Sequence, residues 1–112
     1  MSECIFCKIV KGQIPAQVVY EDDKVLAFKD INQVAPVHIL IIPKSHVESA
    51  LKLDDEDISI VSDIHLAVKK IAKLEGLDNC RLITNSGEVS GQTVFHLHYH
   101  LIAGKPLGAL IS

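Results

Sequence analysis

Apolar residues recur with two different periods along this chain, and the switches between them mark out its elements. Ile5 to Lys11 reads as a short helix closed by Gly12, and Pro15 bars its continuation. Val18–Glu21 and Val25–Lys29 read as strands, with Asp22–Asp23 supplying a tight turn, so a hairpin is expected. Asp30–Ile31–Asn32 reads as a strand exit. Val37–Ile42 is a dense β-branched and aliphatic run stopped by Pro43, expected to be buried on both faces.

The period then changes. Ile64, Ala67, Val68, Ile71 and Ala72 follow helical spacing, and the predicted helix spans Asp54 to Leu74. Asp54, Asp55, Glu56 and Asp57 crowd its start, Lys69, Lys70 and Lys73 lie towards its end, and Gly76 stops it. Cys80–Asn85 and Val94–Ile102 read as two more strands, separated by the Gly- and Ser-rich loop Ser86–Thr93. Strands grouped around one long helix predict an α+β fold with a five-stranded antiparallel sheet and a short N-terminal helix. At 112 residues the chain is expected to be one domain, residues 1–112.

Composition narrows the function classes. Apolar residues make up 48% of the chain, enough for a core, and the absence of Trp makes that core mainly aliphatic. A net charge of −3 with no basic run argues against a protein that tracks along a nucleic-acid polymer. No stretch approaches the roughly 20 apolar residues of a membrane span, and Met1–Gly12 lacks the features of a secretory leader, so the cytoplasm is the expected compartment. Three cysteines, Cys4, Cys7 and Cys80, do not describe a disulfide framework; Cys4-x-x-Cys7 reads as a metal half-site or a redox pair.

The chemistry concentrates in Val94–Phe95–His96–Leu97–His98–Tyr99–His100–Leu101–Ile102. In a strand, His96, His98 and His100 would share one face at intervals of about 7 Å, with Leu97, Tyr99 and Leu101 on the other, facing the long helix. Three readings are open. The histidines could be structural, although three in strict alternation are hard to explain that way. They could bind metal, although residues two apart on a flat strand make poor mutual ligands. Or they could carry nucleotidyl transfer. Neutral imidazole is a nucleophile, and its ordinary pKa of about 6.5 leaves it largely neutral at pH 7. Attack on an α-phosphate would give a phosphoramidate that water then releases, with neighbouring rings donating hydrogen bonds to the phosphoryl oxygens. No carboxylate cluster stands ready to hold magnesium, and no catalytic metal is expected.

The alternating run resembles the signature of the histidine-triad family, and the resemblance extends over nearly the whole chain to about Gly104. Ile5–Ile9, Ile14–Ala16, Glu21–Asp23, Ala27–Ile31, Ala35–His38, Ile42–His46, Asn85 and Gly91–Thr93 look like family elements in family order. The resemblance implies the fold of that family and places the chain beside its adenosine phosphoramidases. It implies that His98 is the nucleophile, with His100, His38 and His96 completing the catalytic set. Asp30 would accept the ribose hydroxyls of a purine ribonucleotide. Ile5, Phe6, Ile9, Phe28 and Ile31 would form the base slot, and Asn85, Gly91, Gln92 and Thr93 would join His98 and His100 around the phosphate. Thr93 stands where many relatives have serine, which keeps the hydroxyl but adds a β-branch. The tail Lys105–Ser112 lacks the tryptophan found in the best-known phosphoramidases, so leaving-group specificity does not carry over.

The same resemblance turns Cys4 and Cys7 into half of a zinc site, with His46 and His96 as the other ligands. Two thiolates and two imidazoles make a closed, structural site. His96 would then serve catalysis only indirectly.

These features frame the functional alternatives: a hydrolase of nucleoside phosphoramidates or related conjugates, a dinucleoside polyphosphate hydrolase, or a nucleotide- or partner-binding protein with residual turnover. A homodimer is also expected. Family members pair so that two sheets continue into one, and Ile58, Ile60, Val61 and Leu66 add apolar surface beyond the helix's main stripe.

Overall fold

A computed structural model describes residues 4–109. Helix α1 (Ile5–Val10) leads into strands β1 (Val18–Glu21), β2 (Val25–Lys29) and β3 (Val37–Pro43); helix α2 (Ser59–Glu75) follows, then β4 (Arg81–Ile83) and β5 (Tyr99–Ala103). The strands form one antiparallel sheet in the order β1-β2-β3-β5-β4. The fold is therefore the expected α+β arrangement. No described helix is long and apolar enough to cross a membrane.

The β1–β2 hairpin turns where Asp22 accepts the amides of Lys24 and Val25 on one carboxylate oxygen, at 2.8 and 2.9 Å. Strand β3 is central and buried on both faces, as its unbroken apolar run requires. One face of the sheet packs Val25, Ala27, Ile39, Ile41, Leu97 and Leu101 against Ile64, Ala67, Val68 and Ile71 of α2. Each Val, Leu or Ile among them contributes about 1.5–3 kcal/mol when fully buried. The opposite face packs Leu26, Phe28, Leu40 and Ile42 against Phe6 of α1. At six residues, α1 covers only part of that face. What it leaves uncovered is the site.

Three elements differ from their sequence-based expectation. The acidic residues do not open α2. Asp55–Asp57 form a separate 3-10 turn and the helix begins at Ser59. The acidic stretch has no apolar residue to bury against the sheet, and the first buried helical residue is Ile64. At the other end Gly76 adopts φ 68° and its amide caps the carbonyls of Ala72 and Lys73.

The second difference lies in the histidine run. Strand β5 starts only at Tyr99, so Val94–His98 are not strand residues. Extending the register Ile41↔Tyr99 would set Leu97 opposite Pro43, which has no amide to donate. Leu97 instead donates to Val47 O at 2.6 Å. The alternation of faces survives without the ladder, because Leu97 and Leu101 still enter the α2 core. Strand β4 is likewise shorter than the expected Cys80–Asn85.

Candidate functional site

On the face that α1 covers incompletely lies a cleft of about 720 Å³. Ile5, Phe6, Ile9, Phe28, Asp30 and Ile31, the residues expected at the base slot and ribose, all line it. Ile31 is 95% exposed on its rim, an apolar side chain offered to solvent. Phe6 meets three rings edge-on, with centroids 5.6 Å from Phe28, 5.9 Å from His96 and 5.2 Å from His98. One α1 side chain thus touches both the cleft wall and the histidine run.

Hydrogen-bond partners fix the tautomer of each ring. A carbonyl oxygen only accepts, so an imidazole nitrogen facing one carries the proton. His98 Nδ1 lies 2.8 Å from His96 O and is the donor, which leaves a lone pair on Nε2. His98 O accepts from the Thr84 hydroxyl at 2.8 Å, so the backbone is held as well as the ring. His38 is locked the other way. Its Nδ1 accepts the Val34 amide at 3.2 Å, so its Nε2 carries the proton and donates to His100 Nδ1 at 2.9 Å. His100 in turn holds its proton on Nε2. Burial pushes the pKa of His100 down, as do His98 and His38, against the opposing pull of Asp30, so the ring is neutral near pH 7. The centroids of His98 and His100 are 5.2 Å apart.

Asp30 is both turn residue and site residue. One carboxylate oxygen accepts the Asn32 amide at 2.8 Å, and the other lies 3.3 Å from His38 Nε2 and 3.9 Å from His100 Nδ1. Each oxygen retains acceptor capacity.

Around the loop, Gly91 takes φ 107°, and a Cβ added there would sit 3.7 Å from the Asn85 side chain, so the two lie against each other. Thr93 lines a smaller recess together with His46 and Phe95. Gln92 departs from its expected place at the phosphate. Its side-chain amide is turned inward and bonded to protein: Nε2 donates to Glu48 O and Val94 O, and Oε1 accepts from the Gly87 amide.

The fourth group of residues is the cysteine–histidine cluster. The ligand atoms of Cys4, Cys7, His46 and His96 all lie within 4.8 Å of one another. His96 Nδ1 is 3.3 Å from Cys4 Sγ, 3.6 Å from Cys7 Sγ and 3.3 Å from His46 Nδ1, and Cys7 Sγ is 3.4 Å from His46 Nδ1. A tetrahedron with metal–sulfur bonds of about 2.3 Å and metal–nitrogen bonds of about 2.0 Å has edges of about 3.5 Å. The donor set fits zinc. His96 Nε2 donates to Pro43 O at 2.9 Å, which leaves Nδ1 deprotonated and turned to the cluster. Burial lowers the pKa of His96, His46 and His98 add to the effect, and the Pro43 bond only partly offsets it. Burial and the neighbouring Cys4 raise the pKa of the Cys7 thiol.

The locking groups were missed by sequence reasoning. Val34 N, Pro43 O and His96 O act through the backbone, which no residue letter encodes, and Thr84 sits in an ordinary strand-exit context. His65, the remaining histidine, meets Tyr99 edge-on with ring centroids 5.8 Å apart, away from the site.

Known proteins resemble this chain in sequence and fold. The family model described as scavenger mRNA decapping enzyme C-term binding matches residues 3–108. A solved histidine triad protein from Clostridium difficile is 51% identical, with a TM-score of 0.96 over 99% of this chain and 98% of that one. The purine nucleoside phosphoramidase of Escherichia coli K12 is 41% identical over 98% of this chain and 94% of its own length. The 14 kDa zinc-binding protein of Zea mays is 46% identical over 95% of this chain and 85% of its own.

Proposed function

The chain belongs to the histidine-triad family, and on that footing we propose that it is a hydrolase of purine nucleotide conjugates that works at the α-phosphate through His98. The observation that carries the reading is the opposed locking of His98 and His38. The nucleophilic lone pair stands on His98 Nε2, and a donor chain from the Val34 amide through His38 ends on His100 Nε2–H. Lone pair and donor are thus set before substrate arrives.

In the first step His98 Nε2 bonds to the α-phosphorus while the bond to the leaving group breaks. The leaving group takes that electron pair and a proton from solvent, and the water of the second step returns one to solvent. Water then attacks the same phosphorus, the P–N bond breaks, and nucleoside monophosphate leaves with His98 restored. His100 stabilises charge on the phosphoryl oxygens in both steps, Asp30 holds the ribose diol, and the apolar cleft holds the base. The phosphoramidase from Escherichia coli supports a P–N bond as the one broken. Cleavage of dinucleoside polyphosphates would use the same groups with a different leaving group.

The Cys4, Cys7, His46 and His96 cluster holds a structural zinc in this reading, supported by its edges, its tautomer and the maize relative. Zinc would tie α1 to the end of β3 and to the histidine run, and supply no reactive position. Pairing of two chains through the short edge strand β4, the exposed Ile58 that caps α2 and the exposed Leu66 within it completes the proposal.

Adenosine phosphoramidate, an aminoacyl adenylate mimic and diadenosine tetraphosphate, compared at equal concentration, test the function. His98→Ala is expected to abolish turnover and retain nucleotide binding. Turnover near that of the unaltered protein in His98→Ala would refute the role of His98, and no turnover of any of the three by the unaltered protein would refute the hydrolase reading.

A further inference from the structure

Gln92 is 2% exposed, and every polar atom of its side chain is engaged. Those bonds join three separate pieces of chain. Oε1 accepts the Gly87 amide at 2.8 Å on the far side of the loop; Nε2 donates at 2.7 Å to Glu48 O, in the segment that follows His46, and at 3.0 Å to Val94 O, where the histidine run begins. The backbone adds a fourth tie, because Gln92 N donates to Gly87 O at 3.0 Å. The loop from Gly87 to Gln92 is thus closed on itself by one residue, through main chain and side chain together.

The closure bears on chemistry for two reasons. Gly91, next in sequence, holds φ 107° and lies against Asn85, and Thr93 follows on the other side. These are the residues that would border the phosphate. The Val94–His98 segment also lacks strand hydrogen bonds, so its path depends on isolated ties, among them Leu97 N to Val47 O at 2.6 Å and Gln92 to Val94 O. The Leu97 tie and the Gln92 bond to Glu48 O end on the adjacent residues Val47 and Glu48.

We infer that Gln92 is a positioning residue for the α-phosphate step: without touching substrate, its buried amide sets the loop that flanks the phosphate and the approach of the chain to His98. This rests on the hydrolase reading above. Misplacing reacting groups by about 1 Å can cost on the order of 100-fold in rate, whereas nucleotide affinity comes from Asp30 and the apolar cleft, which Gln92 does not reach.

Gln92→Met, similar in length but without hydrogen-bonding groups, and Gln92→Glu test it. Gln92→Met is expected to lower kcat by about 10- to 100-fold while the Kd for adenosine monophosphate changes less than about threefold, below the tenfold that about 1.4 kcal/mol represents. Gln92→Glu sets a carboxylate against two carbonyl oxygens, and burial raises the pKa of such a group, so its protonated form regains one donor as pH falls. The ratio of Gln92→Glu to wild-type kcat is expected to rise between pH 8 and 6, with the Gln92→Met ratio flat. Unchanged kcat in Gln92→Met overturns the inference, as does a Kd that rises as much as kcat falls. Should the variants not fold, hydrogen exchange of the Gly87 amide in the unaltered protein decides. Protection is expected, and exchange at the rate of an open loop overturns the staple. Absence of wild-type turnover would instead strike the hydrolase reading, and Gly87 protection would read the same either way.

Discussion

Among the described residues, two clusters of side chains have the composition of a metal site, and only one has the proton arrangement for it. Cys4, Cys7, His46 and His96 bring four ligand atoms together; Asp30, His38 and His100 bring three. In the first, His96 gives its outer N–H to Pro43 O, and its inner nitrogen is a free lone pair. In the second, His38 accepts the Val34 amide on its outer nitrogen, so its inner nitrogen carries a proton and cannot ligate without losing it. One backbone group per ring, an acceptor in the first case and a donor in the second, separates a cluster whose lone pairs could take a cation from one whose protons are ordered against it. Spacing and residue type do not carry that information.

The largest expected effect of disturbing this contrast is on the first cluster. Protein purified without chelator should hold close to one zinc per chain, and Cys4→Ser should hold much less. Loss of a closed site costs folding energy directly; a loss of about 2 kcal/mol would lower Tm by on the order of 10 °C in a domain of this size. Elemental analysis and thermal melts measure both. Zinc retained at one per chain by Cys4→Ser, with Tm unchanged, would contradict a closed site that needs Cys4.

A smaller effect is expected at the second cluster. Asp30→Ala removes a charged acceptor, a loss of about 1.5–3 kcal/mol, and should raise KM for a ribonucleotide substrate more than for its deoxyribose counterpart. Steady-state kinetics on the matched pair measure this. Equal rises would leave Asp30 with its Asn32 turn and no sugar contact.

Much of this molecule was legible in its sequence because the relevant signals are local. The Asp22 turn, the Gly76 cap, the two-faced burial of β3 and the hairpin all follow from side-chain type and period. The alternation at Leu97 to Leu101 was legible too, because it only requires apolar residues to find the α2 core. The start of the strand only at Tyr99 was not, since it depends on Pro43 arriving opposite Leu97 through a register that the sequence does not state. The acidic run at Asp54–Asp57 misled for the opposite reason. Its charge suits a helix start, but the 3-10 turn formed there buries nothing and the helix begins where packing begins. Gln92 shows the same limit at the site. Its place in the Gly91–Gln92–Thr93 run suggested a ligand contact, whereas its direction is set by carbonyls of Glu48 and Val94 that no local pattern announces.

The stereochemical course at the α-phosphorus tests most directly whether His98 is a nucleophile or only a neighbour of the reaction. A substrate made chiral at that phosphorus with oxygen isotopes and sulfur, hydrolysed in labelled water, reports the number of displacements. Two in-line displacements, first by His98 Nε2 and then by water, predict retention of configuration. Inversion would mean that water attacks directly, and would contradict the covalent role that the locked lone pair of His98 supports.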